Sequence, residues 1–262
     1  MSHGHAPGGK AARRRFDSTA VILGGVVFVA AWQALVWLGG YEPYLLPGPL
    51  VVARRFLDAW LDGTIAPHAA ATLTEILIGF AFGAGAALLV GMLLARSHFA
   101  ERVLSPYLVA AQATPILAIA PLIALWFGTG LLSKVLIAAL IVFFPVAIAT
   151  MVGIRSVDRR LVEMARAFRA TRWQLVRQVE VPAALPAILG GMRVGVTLAV
   201  IGAIIGEWAG GERGLGVLIN LARGSLFDTP LLFATLATIA LIGIVLYLVV
   251  VAVERRMVGA RG

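Results

Sequence analysis

Two groups of residues in this chain have types and spacing that could do chemistry. The first is a charged interruption in an otherwise oily sequence, EMARAFRATRWQLVRQVEVPAALP over 163–186. Seven arginines (Arg155, Arg159, Arg160, Arg166, Arg169, Arg172, Arg177) fall between Gly153 and Ala187, against Asp158, Glu163 and Glu180. A hydrocarbon slab about 30 Å thick does not accept such a segment, so it lies in water. Its chemistry is recognition. It either docks a partner protein through an apolar and charged face or is held by lipid phosphates, and composition alone leaves the two readings level. The second group is Gln112, Thr114, Thr197 and Glu207, polar side chains inside apolar stretches. Polar groups at membrane depth cost free energy and face an interior, which makes these four candidates for a solute path. Gln112 and Thr114 could instead bond helix to helix, and Glu207 could be an interfacial carboxylate. Trp126 and Trp208 read as an interfacial aromatic belt.

Catalysis finds no support. Asp17, Glu101, Asp158, Glu163, Glu180 and Glu254 are scattered, with no paired acids and no nucleophile beside a base. There is no cysteine, and His3, His5, His68 and His98 fall on separate segments, so no metal site is expected. GGKAARR does not fit the G-x4-G-K-[ST] phosphate loop.

The elements that must position these residues follow from hydropathy. Of 262 residues, 60% are hydrophobic and 13% charged, and the mean hydropathy is +0.94. That is an all-α polytopic membrane protein with little length left for a soluble domain. Six spans are expected, at Ala20–Gly39, Thr72–Ala95, Tyr107–Phe127, Leu131–Val152, Ile188–Ala209 and Leu231–Val253. Gln112, Thr114, Pro115 and Pro121 interrupt the third. The first run is too long for a signal-peptide core and has no small-x-small site after it, so it reads as an anchor. With the N-terminus inside, 16 of the 22 basic residues fall on inner segments and five outside. The asymmetry places both termini and the arginine-rich loop on the cytoplasmic side. The net charge of +9 is that of a basic membrane protein and does not imply nucleic acid. The expected division is a disordered basic tail over 1–19, one permeating domain over 20–253 with its loop at 153–187, and a cytoplasmic tail over 254–262. Between the first two spans, Pro49 opens an amphipathic helix with Val52, Phe56 and Ala59/Trp60 on one face, read first as a packing helix.

Within the loop, one helix fits Arg159–Phe168, with Leu161, Ala165 and Phe168 on one face, and a second fits Arg172–Val179. Pro182 and Pro186 are expected to stop regular structure before the next span. This segment resembles the EAA loop of permease subunits of ATP-binding-cassette importers, E-A-A-x3-G-x9-I-x-L-P. Glu163 and Ala165 match its Glu and second Ala, Met164 replaces the first Ala, Val179 and Val181 stand for Ile and Leu, and Pro182 matches Pro. Arg169 stands where the pattern has Gly. A left-handed turn there costs a non-glycine residue about 1–2 kcal/mol, so the turn is either rebuilt toward Ala170–Thr171 or strained. The resemblance extends along the chain through LLPGPL, GFAFGAGAALLVGMLLARS, QATPILAIAPLIALWFG, FFPVAIATMVGIRSVD, GEWAGGERGLGVLI and ERR. These look like the branch serving sulfonates, taurine, nitrate, pyrimidine precursors and riboflavin.

The resemblance implies a bacterial inner-membrane permease of the type I importer fold. It implies two copies around a path, a separate ATPase subunit that binds the ATP, an extracytoplasmic binding protein and surrounding lipid. The chain itself would hold no cofactor. Glu163, Ala165, Phe168, Arg169 and Pro182 would carry ATPase coupling, and Glu207 could touch the docked binding protein. An ion-coupled secondary transporter or channel is the alternative; such proteins carry midplane charges or broken helices in paired repeats, and no half matching the proline-broken third span appears. Outer acids exceed outer bases by about two, which does not favour steering of an anion. Glu207-Trp208 and the FFP…SVD run look more like the pyrimidine and flavin members than the sulfonate ones.

Overall fold

In a computed structural model of the chain, residues 9–259 are described, and no strand occurs among them. Helix α1 spans Gly9–Gly39, α2 Pro49–Leu61, α3 Ala66–Arg96, α4 His98–Ala113 and α5 Ile116–Phe127. Then follow α6 Leu131–Arg155, α7 Arg159–Ala167, α8 Arg172–Gln174, a π-helical stretch Leu175–Glu180, α9 Val181–Gly210, α10 Leu215–Gly224 and α11 Thr229–Gly259. Five helices are long and apolar enough to cross a membrane. From Gly9 onward the basic segment expected to be disordered is helical, residues 1–8 lie outside the described residues, and α11 carries the last span on to Gly259.

The third span is corrected. It is a bent pair, α4 and α5, meeting at 94°. Thr114 and Pro115 are extended, with ψ of 128° and 105°. Proline disfavours helical backbone in the residue before it and brings no N–H of its own, so the bend sits there. Pro182 and Pro186 do the opposite of what was expected. The helix runs through both, from Arg172 to Gly210 over 39 residues. Val181 N–H still reaches back five residues to Val176 O. Pro182 falls where this wide winding returns to α geometry, at the start of α9, so its missing N–H interrupts no established α ladder.

The centre is α3, α6 and α9, packed along their lengths. Close approach explains the glycines there. A Cβ on Gly83 would lie 2.5 Å from Ala139 O, and one on Gly202 2.7 Å from Ala138 Cα. Small residues let spans meet where no hydrophobic drive separates protein from lipid. By contrast, the apolar stretch of α1 is 0% buried and that of α11 only 6%, so the described residues leave both largely uncovered. Helix α2 is the packing helix expected: Val52 and Ala59 are buried and Phe56 joins the cluster of Leu218, Leu231 and Ala234. Arg55 Nε reaches Asp228 Oδ2 at 2.8 Å, while Asp228 Oδ1 accepts Leu231 N–H and caps α11. After α2, hydrogen bonds from the Thr64 side chain and then from its N–H hold the exposed Asp62 carboxyl below the usual range.

Candidate functional site

At one end of the molecule the arginine-rich loop forms a helix, a tight turn and a second helix. Asp158 Oδ1 accepts Arg160 N–H at 2.9 Å and starts α7. The turn is a complete Schellman closure, with Ala170 N–H to Ala165 O at 3.1 Å and Arg169 N–H to Arg166 O at 2.9 Å. Arg169 occupies the left-handed position with φ of 56°. The turn is not rebuilt around the missing glycine. Arginine accepts the strained conformation. Arg169→Gly is therefore expected to raise the melting temperature slightly, by relief of about 1 kcal/mol, with transport retained; differential scanning fluorimetry on both variants checks it. Thr171 and Gln174 form a capping box that opens the next helix.

Glu163 is exposed, Ala165 is half-buried, and none of α7 is fully buried. Phe168 is 82% exposed and Trp173 69%, with Leu161 and Met164 beside them. The chain builds this apolar face and leaves it uncovered. Two arginines of the region have inward tasks. Arg155 donates to Leu94 O and Ala95 O and pairs with Glu101, joining α6 to α3 and α4. Arg96 pairs with Glu180 at 2.9 Å, joining α3 to the π-helical stretch.

A cavity of about 510 Å³ opens where α4 breaks from α5. Gln112 and Thr114 line it, with Phe144, Leu198, Ile201 and Ile205. Thr197 is exposed on the same face of α9, one helical turn from Val194 and Ile201, and its hydroxyl donates to Val194 O. Glu207 is not there. It is 2% exposed, takes Thr72 Oγ1 and Gly216 N–H as donors, and belongs to the end opposite the loop. Sequence reasoning missed its neighbours: Lys134 Nζ lies 2.8 Å from Glu75 Oε1, both buried. The available signal was a charge at membrane depth, since both residues lie in helices long enough to span.

Residues 87–259 match the family described as binding-protein-dependent transport system inner membrane component. The chain belongs to this family. A riboflavin transport system permease protein of Chloroflexus aurantiacus is 51% identical over 233 residues, covering 89% of this chain and 87% of that one. A formylaminopyrimidine transport permease protein of Halalkalibacterium halodurans is 35% identical over 232 residues, 88% and 92% of the two chains. In solved structures, a chain of the inward-facing MetNI methionine ABC transporter superposes with a TM-score of 0.62 at 21% identity, over 75% of this chain and 95% of its own. The permease is thus a multi-pass bacterial inner-membrane subunit of an ATP-binding-cassette importer. It works with an ATPase subunit and a substrate-binding protein, and is itself no enzyme. The channel and secondary-transporter readings fall with that membership.

Proposed function

We propose that two copies of this permease enclose a path for a neutral, flat heteroaromatic nutrient of the flavin type, with ATP bound only by the partner subunit. The observation that carries the reading is the continuity of one helix. The loop that would dock the ATPase runs without a break into α9, and α9 supplies Val194, Leu198, Ile201 and Ile205 to the cavity. A push on Glu163, Ala165 and Phe168, across the Arg169 turn and the Pro182 junction, therefore moves a wall of the path. Both termini and the loop face the cytoplasm in this reading, lipid covers the outer faces of α1 and α11, and no cofactor is held.

The cavity supports the substrate class. Its lining offers an amide from Gln112 and a hydroxyl from Thr114 among aliphatic and aromatic side chains, and no charged side chain. A sulfonate or nitrate would find no cation there to replace its water. A flavin-like ring would stack on apolar walls and keep two polar contacts. The 51% identical riboflavin permease points the same way. Uptake into proteoliposomes holding the permease, its ATPase and its binding protein is the test. Labelled riboflavin accumulating with ATP, and taurine not, is expected; taurine uptake without riboflavin uptake would overturn the substrate.

A further inference from the structure

At the end opposite the loop, four successive residues, the last two of the link between α9 and α10 and the first two of α10, are held by side chains from elsewhere. Arg213 O accepts from Lys134 Nζ at 3.0 Å, and His68 Nδ1 lies 2.8 Å from Gly214 O and 3.1 Å from Gly214 N. Leu215 N–H donates to Thr72 Oγ1 at 2.8 Å, and Gly216 N–H donates to Glu207. Thr72 and Lys134 are then tied in turn to Glu207 and Glu75. The side chains of Lys134 and Glu75 are only 8% and 3% exposed. Glu212 and Arg213 stand exposed on the outer side of the link, over a cleft of about 280 Å³ floored by Glu75 and Lys134.

A buried ion pair is a poor way to gain stability, since apolar residues of the same size do as well or better. What such a network does well is fix one geometry and resist intermediates. Its position gives that property a use. It fastens the last turn of α9, through Glu207, to α3, to α6 and to the one exposed charged link beside it. The other end of the same helix, about 58 Å away at 1.5 Å per residue, begins in the arginine-rich loop.

We propose that Glu75, Lys134, Thr72 and Glu207 are positioning residues that receive the docking of the external binding protein on the 211–214 link and pass it along α9 to the ATPase. This rests on the importer reading and on the link facing outward. Pressure on Glu212–Arg213 moves the Arg213 carbonyl, and with it the Lys134–Glu75 pair and the end of α9. Coupling of this kind is reciprocal, so the same residues tell the link when the loop has moved.

The test is ATP hydrolysis by the assembled transporter in proteoliposomes, with and without riboflavin-loaded binding protein. Glu75→Gln combined with Lys134→Met removes both charges of the pair together. It is expected to keep basal hydrolysis and lower the stimulated-to-basal ratio about tenfold, whereas Lys134→Arg keeps most of the stimulation. Thr72→Val, which preserves volume and all charges, is expected to lower the ratio in the same sense and decides the matter if the double variant does not assemble. Full stimulation in an assembled double variant, or in Thr72→Val, would overturn the proposal. Absence of stimulation in the unaltered transporter would instead overturn the flavin-type substrate proposed above.

Discussion

Phe168→Ala is expected to weaken the permease–ATPase complex by about 30-fold or more while leaving the permease as stable as before. The two halves of that result come from the same fact. Phe168 is 82% exposed on a face that no other described part of the chain covers, so removing its ring opens no cavity in the fold. In a complex, an aromatic side chain seated in a partner's pocket is the kind of residue that costs about 2–4 kcal/mol when truncated. Glu163→Lys should act in the same direction by reversing a charge one helical face away. The measurement is affinity of the solubilised permease for its ATPase alongside a melting curve. A variant that melts normally and binds normally would remove Phe168 from the contact; one that melts early would mean the ring belongs to the fold.

The second large effect is a contrast between two glycines given the same methyl group. Gly202→Ala is expected to destabilise the permease by about 1–3 kcal/mol, because its Cβ would meet the backbone of α6 at Ala138, which has no side-chain rotation with which to yield. Gly85→Ala should be neutral or stabilising by about 0.5–1 kcal/mol, since nothing lies within 4 Å of its Cβ and alanine is the better helix former. Thermal denaturation in detergent, read by monodispersity, checks both. Equal shifts in the two variants would contradict the packing of α6 against α9.

Gly85 shows how far the sequence could be read. By residue type alone, the glycines at 79, 83, 85, 190, 191 and 195 are equal candidates for close helix packing, yet Gly85 meets nothing and Gly190 only the tip of Arg193. Composition names residues that permit close approach and does not say on which side a neighbour stands. The long apolar helices and the buried face of α2 were legible because burial writes a periodicity. The bend at Thr114–Pro115 was legible as an interruption, but its angle depends on where α5 packs. Pro182 misled because the rule for proline assumes an α-helix before it, and the π-helical stretch changes that premise. The strained Arg169 was one of two outcomes that the local pattern left open. Least legible was the Glu75–Lys134–Glu207 cluster, whose members come from three helices and meet only through folding.

That cluster also sets an order on synthesis. Glu75 waits 59 residues for Lys134, and Lys134 a further 79 for the Arg213 carbonyl. Thr72 waits 135 for Glu207. At about 5–20 residues per second, Thr72 on α3 stands without Glu207 for roughly seven to thirty seconds while the ribosome makes the helices from α4 to α9. A chain interrupted before residue 213 would hold a carboxylate and an ammonium in the membrane without their third side. Completion of α9 and its link is therefore the event that distinguishes a finished subunit from a fragment, and a protease that surveys newly inserted spans would have those few seconds in which to tell them apart.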